Sequence, residues 1–427
     1  MMRRQLLQGT GGAVIAGVLR EKGGEARAAE TLAADLDRYI AFGIKLSGGP
    51  GDRDCGRWLE QELRAAGFAT TRQDFPVPGF DLHDARLTTG ADIIPVIPAG
   101  IVVPTGPAGV TAPLAPMSAG QEIPSDLAGA IALVDLPHAR WSSMNDGTIR
   151  TLLPQLFAAD ARAVLFVTHG PTGKAAALNC DARASGFGRP VATIAPDRTA
   201  PLRALTGAEA TLVIDGEAKA RTAFNLAGRI DRGKGRWLVV STPRSGWTVC
   251  AGERGPGIAS WLALARWAPA ALPDHDLLFL CNSGHEYENL GAAHTLAANA
   301  PAPDATAFWL HLGANVAARD WHDLGGGRLS PLPSADSQRF LLASERLVDE
   351  ARAAFVGLMG LEMAYPVGPA AAGELATIAA AGYPSIAGIF GAHRFHHIAE
   401  DDARCVDARL IEPVVQACKR LIFAAMR

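Results

Sequence analysis

After Asn225 the chain settles into one repeated unit, and this rhythm constrains the fold more than any other feature. A short apolar run, a glycine-containing turn and a longer helical stretch follow one another, as Trp237 to Val240 before Gly257 to Trp267, and Leu277 to Leu280 before Glu286 to Ala298. Buried strands alternating with helices build βα units on a largely parallel sheet. Ala307 to Leu312 and Ser385 to Phe390 add two more apolar strands, and Val406 to Met426 reads as a closing amphipathic helix. Upstream, Leu32, Leu36 and Ile40 recur at helical spacing, and Trp58, Leu59 and Leu63 follow a break at Gly48 to Asp54, so two helices precede an exposed-edge strand at Phe68 to Val77. From about 85 to 219 the texture changes. Short β-like runs (Ile93 to Val96, Ile101 to Val103, Ala130 to Val134, Ala163 to Val167, Val191 to Ile194, Ala210 to Ile214) are punctuated by Gly, Pro and Asp. The expected architecture is an α/β domain of residues 30–84 and 220–427, doubly wound on a mixed sheet, with a β-rich insertion at 85–219.

Composition removes several function classes. With 48% hydrophobic and 19% charged residues among 427, the chain is a globular protein of about two domains. Forty basic against forty-three acidic residues leave a net charge of −3, without the basic excess of a nucleic-acid surface. Six cysteines lie far apart, with no C-x-x-C pair or zinc-ribbon spacing. Arg3-Arg4 ahead of the weakly apolar Gly9 to Val18 stretch has the order of a twin-arginine export signal over residues 1–29, with Ala26-Arg27-Ala28 as a cleavage site. The expected location is periplasmic or secreted. No other segment reaches the roughly 18 unbroken apolar residues of a membrane span. Oligomeric state is not legible.

In open α/β sheets ligands sit beyond the carboxyl ends of the strands. Four such ends offer polar residues: Ser241 to Gly246 with Glu253 and Arg254 before the next helix; Cys281 to Glu288, including His285 and Glu286; His311; and His393 to Asp402, including His396 and His397. Carboxylate and imidazole are the ligand types of catalytic zinc, where three protein ligands leave a position for water. The H-E-x-x-H zinc helix is excluded, because Asn289 stands four residues after His285. A G-x-S-x-G elbow, a Walker loop and a G-x-G-x-x-G turn are missing as well.

These residues resemble the zinc aminopeptidase-like exopeptidases, a family that includes glutaminyl cyclases and transferrin-receptor-like proteins, many with an inserted protease-associated domain. The likeness spans most of the chain after residue 30, opening with Gly48 to Phe75. Leu127-Ala128-Gly129-Ala130-Ile131-Ala132-Leu133-Val134-Asp135, Ala163 to Val167 and Gly188 to Ile194 resemble the inserted domain. The resemblance implies a metal site, and it transfers in part. The family's His-x-Asp falls on Pro243 and Ser245, its bridging Asp on Glu253, its Glu-Glu pair on His285 and Glu286, its later Asp on Gly313, and its final His on His397, with Asp401 four residues on. The implied ligand set is Glu253, Glu286 and His397 around one Zn²⁺, closer to the one-metal cyclases than to the two-metal aminopeptidases.

Each residue also has a second reading. Glu253 either ligates metal or caps the helix and pairs with Arg254, and Glu286 gains about 0.3–1 kcal/mol at a helix start without any metal. His397, beside His393 and His396, is a ligand or part of a surface cluster. His285 is a general base suited to neutral pH, or the mark of a lost activity. His311 is an oxyanion stabiliser or a satisfied core histidine, and Arg244 binds a substrate carboxylate or belongs to a βα turn. The expected function is exported single-zinc hydrolysis of an amide-like bond in a peptide or small molecule. The alternatives are a cyclase or lyase, or a metal-free binding protein on the same fold.

Overall fold

The computed structural model describes residues 29–183, 187–368 and 371–427. The export-signal reading therefore lies, but for residue 29, outside the described residues. Two helices open the chain, residues 29–41 and Pro50–Ala65. The second begins at a proline, whose fixed φ and missing N–H suit a first helical turn. It buries Cys55, Trp58, Leu59 and Leu63 against the core. Strand β1 (Ala69–Val77) follows and forms one edge of the main sheet, which explains its mostly exposed face.

Seven strands then fold apart from that sheet: β2 (Phe80–Thr89), β3 (Asp92–Pro98), β4 (Gly106–Ser118), β5 (Ile131–Asp135), β6 (Ala163–Val167), β7 (Val191–Ile194) and β8 (Glu209–Ala218). They close as a barrel in the order β2-β3-β7-β6-β5-β4-β8. Closure pairs every strand and leaves no open edge. The barrel starts at Phe80, a few residues before the sequence boundary. Ile101 to Val103, expected as a strand, is irregular between Gly100 and Pro104, and a helix at Gly147–Ala158 escaped the sequence reading.

The chain returns through β9 (Arg221–Ile230), antiparallel to β1, and then builds β10 (Trp237–Pro243), β11 (Asp276–Asn282) and β12 (Thr306–Leu312). A hairpin of β13 (Arg319–Asp323) and β14 (Leu329–Ala335) stands outside the sheet, before β15 (Arg339–Ala343), β16 (Ala364–Pro366) and β17 (Ile386–Gly391). The eight-stranded order is β1-β9-β11-β10-β12-β17-β15-β16. Its centre, β11-β10-β12-β17, is parallel and its flanking pairs β9/β11 and β15/β17 are antiparallel. One face packs against helices through Leu36, Leu59, Trp261, Ala351 and Leu421, the other through Leu296, Leu375 and Ile378. The fold is thus mixed α/β with helices on both faces, as the strand–helix rhythm implied.

One expected helix is broken. Glu288 and Asn289 take left-handed φ of 50° and 61°, separating a short 3-10 turn at His285–Tyr287 from the helix Leu290–Ala298. Asn tolerates this region, and Glu288 is held there by a hydrogen bond from Ser143 of the barrel. The barrel also packs on the main domain through Trp321 and Phe395, whose rings lie 5.0 Å apart.

Trp261 anchors the larger core. It is 0% exposed, donates from Nε1 to the Val240 carbonyl at 3.1 Å and meets the Phe279 ring edge-on at 5.7 Å. Trp261→Ala is expected to lower unfolding free energy by roughly 3–5 kcal/mol in denaturant titration. A loss under about 1 kcal/mol would contradict this packing.

Candidate active site

The carboxyl ends of the parallel strands meet at one crevice of about 390 Å³, whose lining includes Arg254, His285, His311, Phe340, Glu374 and His396. Each side chain arrives from a different place in the chain. Arg254 precedes the helix Gly255–Ala271, His285 follows β11, His311 lies on β12 and His396 follows β17. Glu374 sits at the start of the helix Gly373–Ala380.

Asp401 fixes the approach to the first of these helices. Its carboxylate accepts from the Gly252 and Glu253 backbone N–H groups at 2.6 and 3.1 Å. Glu253 is thereby held at 0% exposure, with Oε1 2.7 Å from Arg254 Nη2 and 3.3 Å from His397 Nε2. Burial opposes the Glu253 charge, yet Arg254 together with His397 and His396 holds the carboxyl well below the usual range. Burial likewise works against the guanidinium, and Glu253, with smaller help from neighbouring groups that include Glu374, raises its pKa. His397 donates from Nδ1 to the Ala177 carbonyl of the inserted barrel at 2.9 Å, which leaves Nε2 facing Glu253. Its backbone is left-handed, at φ 59°. That is an uncommon conformation for a side-chain-bearing residue and one found at functional sites. The His396 ring stacks on it at 4.1 Å, and burial, then His397, pull the His396 pKa well below its ordinary value.

Ligand atoms of Glu253, His396 and His397 all lie within 4.8 Å of one another. Both Glu253 carboxylate oxygens and His396 Nδ1 have no aligned hydrogen bond among the described residues. A carboxylate with two imidazoles and orphaned lone pairs is a donor set that fits one cation of the zinc type. Arg254 already offsets the single carboxylate charge, so the set suits one ion and not two.

The sequence had put Glu286 in the ligand set, and the structure turns it elsewhere. Its carboxylate accepts from the Ser47 N–H at 2.9 Å and from the Ser47 and Ser245 hydroxyls at 2.7 and 2.6 Å. Burial outweighs those donors and raises its pKa. Arg244, read as a fork for a substrate carboxylate, is 0% exposed and pairs with Asp52 at 2.9 Å. It donates to the Phe224 and Cys281 carbonyls at 2.6 and 3.1 Å and stacks under the Phe224 ring. Its carboxylate is internal, and it cross-links the opening helix to the sheet.

His285 and His311 do come to the crevice. His285 Nδ1 lies 3.7 Å from Glu374 Oε1, a carboxylate that the sequence reading missed. Glu374 accepts from Asn282 at 2.8 Å, and although burial opposes its charge, His285 and His311 nearby lower its pKa. The only sequence signal for it was one acid at a helix start in an alanine-rich stretch. His311 Nδ1 lies 2.9 Å from Ser241 Oγ. That oxygen also accepts the Trp309 indole N–H at 2.8 Å; with its own hydroxyl proton turned to His311 Nδ1, the ring proton sits on Nε2. Nε2 faces Gly313, where a Cβ would lie 3.4 Å away. Behind the site, His393 Nε2 stands 3.3 Å from Asp401, and this pairing outweighs burial to raise the His393 pKa.

No protein-family model matches the chain, and no curated protein matches it by sequence. Solved structures do. A zinc aminopeptidase from Bacillus subtilis shares 17% identity over 93% of this chain and 95% of its own, with a TM-score of 0.72. A Peptidase M28 precursor from Shewanella amazonensis shares 14% identity over 94% and 96%, with a TM-score of 0.71. An aminopeptidase from an Aneurinibacillus species shares 18% identity over 93% of both chains, with a TM-score of 0.64. At these identities the likeness is one of fold, and it assigns the chain the zinc-exopeptidase-like architecture.

Burial pushes His311 down to about 4. An unfolded His binds its proton below about 6.5 and the folded one only below about 4, so the unfolded state holds more protons between the two. His311's contribution is intact above pH 6.5 and is lost as pH falls through that window, by up to roughly 3 kcal/mol. Unfolding free energy measured across it is expected to slope less in His311→Gln than in the parent. Identical slopes would contradict a buried, neutral His311.

Proposed function

We propose that this protein is a single-metal hydrolase acting on an amide-like bond of a peptide or small molecule. The observation that carries the reading is the convergence of Glu253, His396 and His397 beside a strand-end crevice lined by His285 and His311. The proposed metal residues are these three, with His396 taking the place that the sequence gave to Glu286. A bound zinc-type ion supplies Lewis acidity and a water of lowered pKa. The remaining chemistry belongs to the chain. His285, with Nδ1 toward Glu374, takes the proton from the attacking water at Nε2 and returns it to the leaving nitrogen, work worth about 10²–10⁴ in rate. His311, neutral and with its proton on Nε2, donates to the developing oxyanion. The proposed location is the periplasm or the exterior, on the strength of Arg3-Arg4 and the apolar stretch after them. Among the described residues no helix is long and apolar enough to cross a membrane.

A second reading, a metal-free binding protein, is favoured by one specific contact. Arg254 Nη2 at 2.7 Å already neutralises Glu253, so the carboxylate has a resident cation.

Elemental analysis of protein purified without chelator, together with turnover of an aminoacyl and peptide panel, separates the two. The hydrolase reading expects about one zinc per chain, joint loss of metal and turnover in His396→Ala and His397→Ala, and retained metal with turnover lowered about 10²–10⁴-fold in His285→Ala. Glu286→Ala is expected to keep its metal. Metal-free protein across several preparations would overturn the hydrolase in favour of the binder.

A further inference from the structure

We propose that Arg254 and His311 form an anion anchor in the floor of the crevice, which holds the carboxylate of a small acid whose apolar body lies against Phe340 and Phe390. The inference deepens the hydrolase reading and rests on it, because His311, proposed to face a developing oxyanion, also faces the carboxylate that hydrolysis leaves behind. Its grounds are independent of any metal. Arg254 is 0% exposed and lines the crevice, yet neither Nη1 nor Nη2 has an aligned acceptor among the described residues. Its Nε is spent on the Ser245 carbonyl at 3.2 Å and one Nη2 contact on Glu253 at 2.7 Å. Protons on Nη1 and the second proton of Nη2 remain, and a buried guanidinium with spare donors is a strong partner for a planar carboxylate. His311 adds an Nε2 proton in the tautomer whose Nδ1 accepts from the Ser241 hydroxyl, which Trp309 also holds. Gly313 keeps the space beside it clear.

Two features set the selectivity. Phe340 and Phe390 line this crevice and also an adjoining apolar groove with Leu342 and Tyr365, so a ring or alkyl group attached to the carboxylate has a surface to cover. Glu374 opposes the anion, since it lines the same crevice and its Oε1 lacks an aligned donor among the described residues, with His285 Nδ1 at 3.7 Å. Removing that charge therefore strengthens the anchor.

The test is calorimetric titration of the purified full chain with phenylacetate and with its uncharged isostere phenylacetamide, zinc content being measured on the same samples. Phenylacetate is expected to bind at least about tenfold more tightly than the amide, because only the carboxylate takes charge-assisted hydrogen bonds. Arg254→Lys, which keeps the charge beside Glu253 and loses the fork, is expected to weaken phenylacetate by about tenfold with unchanged metal. Glu374→Gln is expected to tighten it several-fold, and this arm decides the matter should the Arg254 variant not fold. Equal binding of acid and amide, or phenylacetate affinity that follows zinc content and ignores both substitutions, overturns the anchor while leaving the hydrolase reading standing. Loss of binding in Arg254→Lys supports the anchor even where no substrate of the peptide panel is turned over.

Discussion

The ion pair between Glu253 and Arg254 is the constraint on which the rest of the site depends. Both residues are 0% exposed, at the entrance of the helix Gly255–Ala271, where two charges taken out of water cost several kcal/mol each unless paired and hydrogen-bonded. Asp401 meets part of that demand by holding the Gly252 and Glu253 amides, and His397 Nε2 stands 3.3 Å from the same carboxylate oxygen that Arg254 meets. The polar end of the sheet is therefore an arrangement around one buried carboxylate. The guanidinium beside Glu253 supplies positive charge there, which favours the single ion proposed above over two.

The inserted barrel takes part in that arrangement. Ala177 accepts the Nδ1 proton of His397 and exchanges a backbone hydrogen bond with the same residue, Cys180 N–H donates to the Glu286 carbonyl at 3.0 Å, and Asn179 accepts from the Trp247 indole at 2.8 Å. Ser143 holds Glu288 in its left-handed turn. Imidazole orientation and the turn that carries His285 both depend on a module that contributes no proposed ligand, which is how supporting hydrogen bonds tune a site. Domain and site are coupled through a few hydrogen bonds, without the barrel joining the sheet.

Much of this was legible in the sequence, for physical reasons that can be named. The parallel centre of the sheet was readable because strands buried on both faces are continuous apolar runs, as at Trp237 to Val240 and Leu277 to Leu280. Strand-end chemistry followed from the sheet, which brought out Glu253, His285, His311 and the histidines after β17. Partners distant in the chain were not legible. Nothing near Arg244 announces Asp52, 192 positions away, and nothing near Glu286 announces Ser47, so two residues with free-looking polar groups turned out to be internally satisfied. The hairpin β13–β14 and the short β16 lacked apolar periodicity, and Glu374 was hidden in an alanine-rich run. His396 was visible only as a neighbour of His397. Stacked adjacent rings reach one carboxylate here because the turn is left-handed at His397, a backbone fact that residue types do not carry.

As proposed, one metal shares the Glu253 carboxylate with Arg254. Anomalous diffraction at the zinc edge, from crystals of protein purified without chelator, tests it most directly. One peak per chain is expected at coordinating distance from Glu253, His396 and His397, with Arg254 still on Glu253 and Glu286 still on Ser47 and Ser245. A chain without a peak, or a peak ligated by Glu286 with His396 turned away, would contradict it.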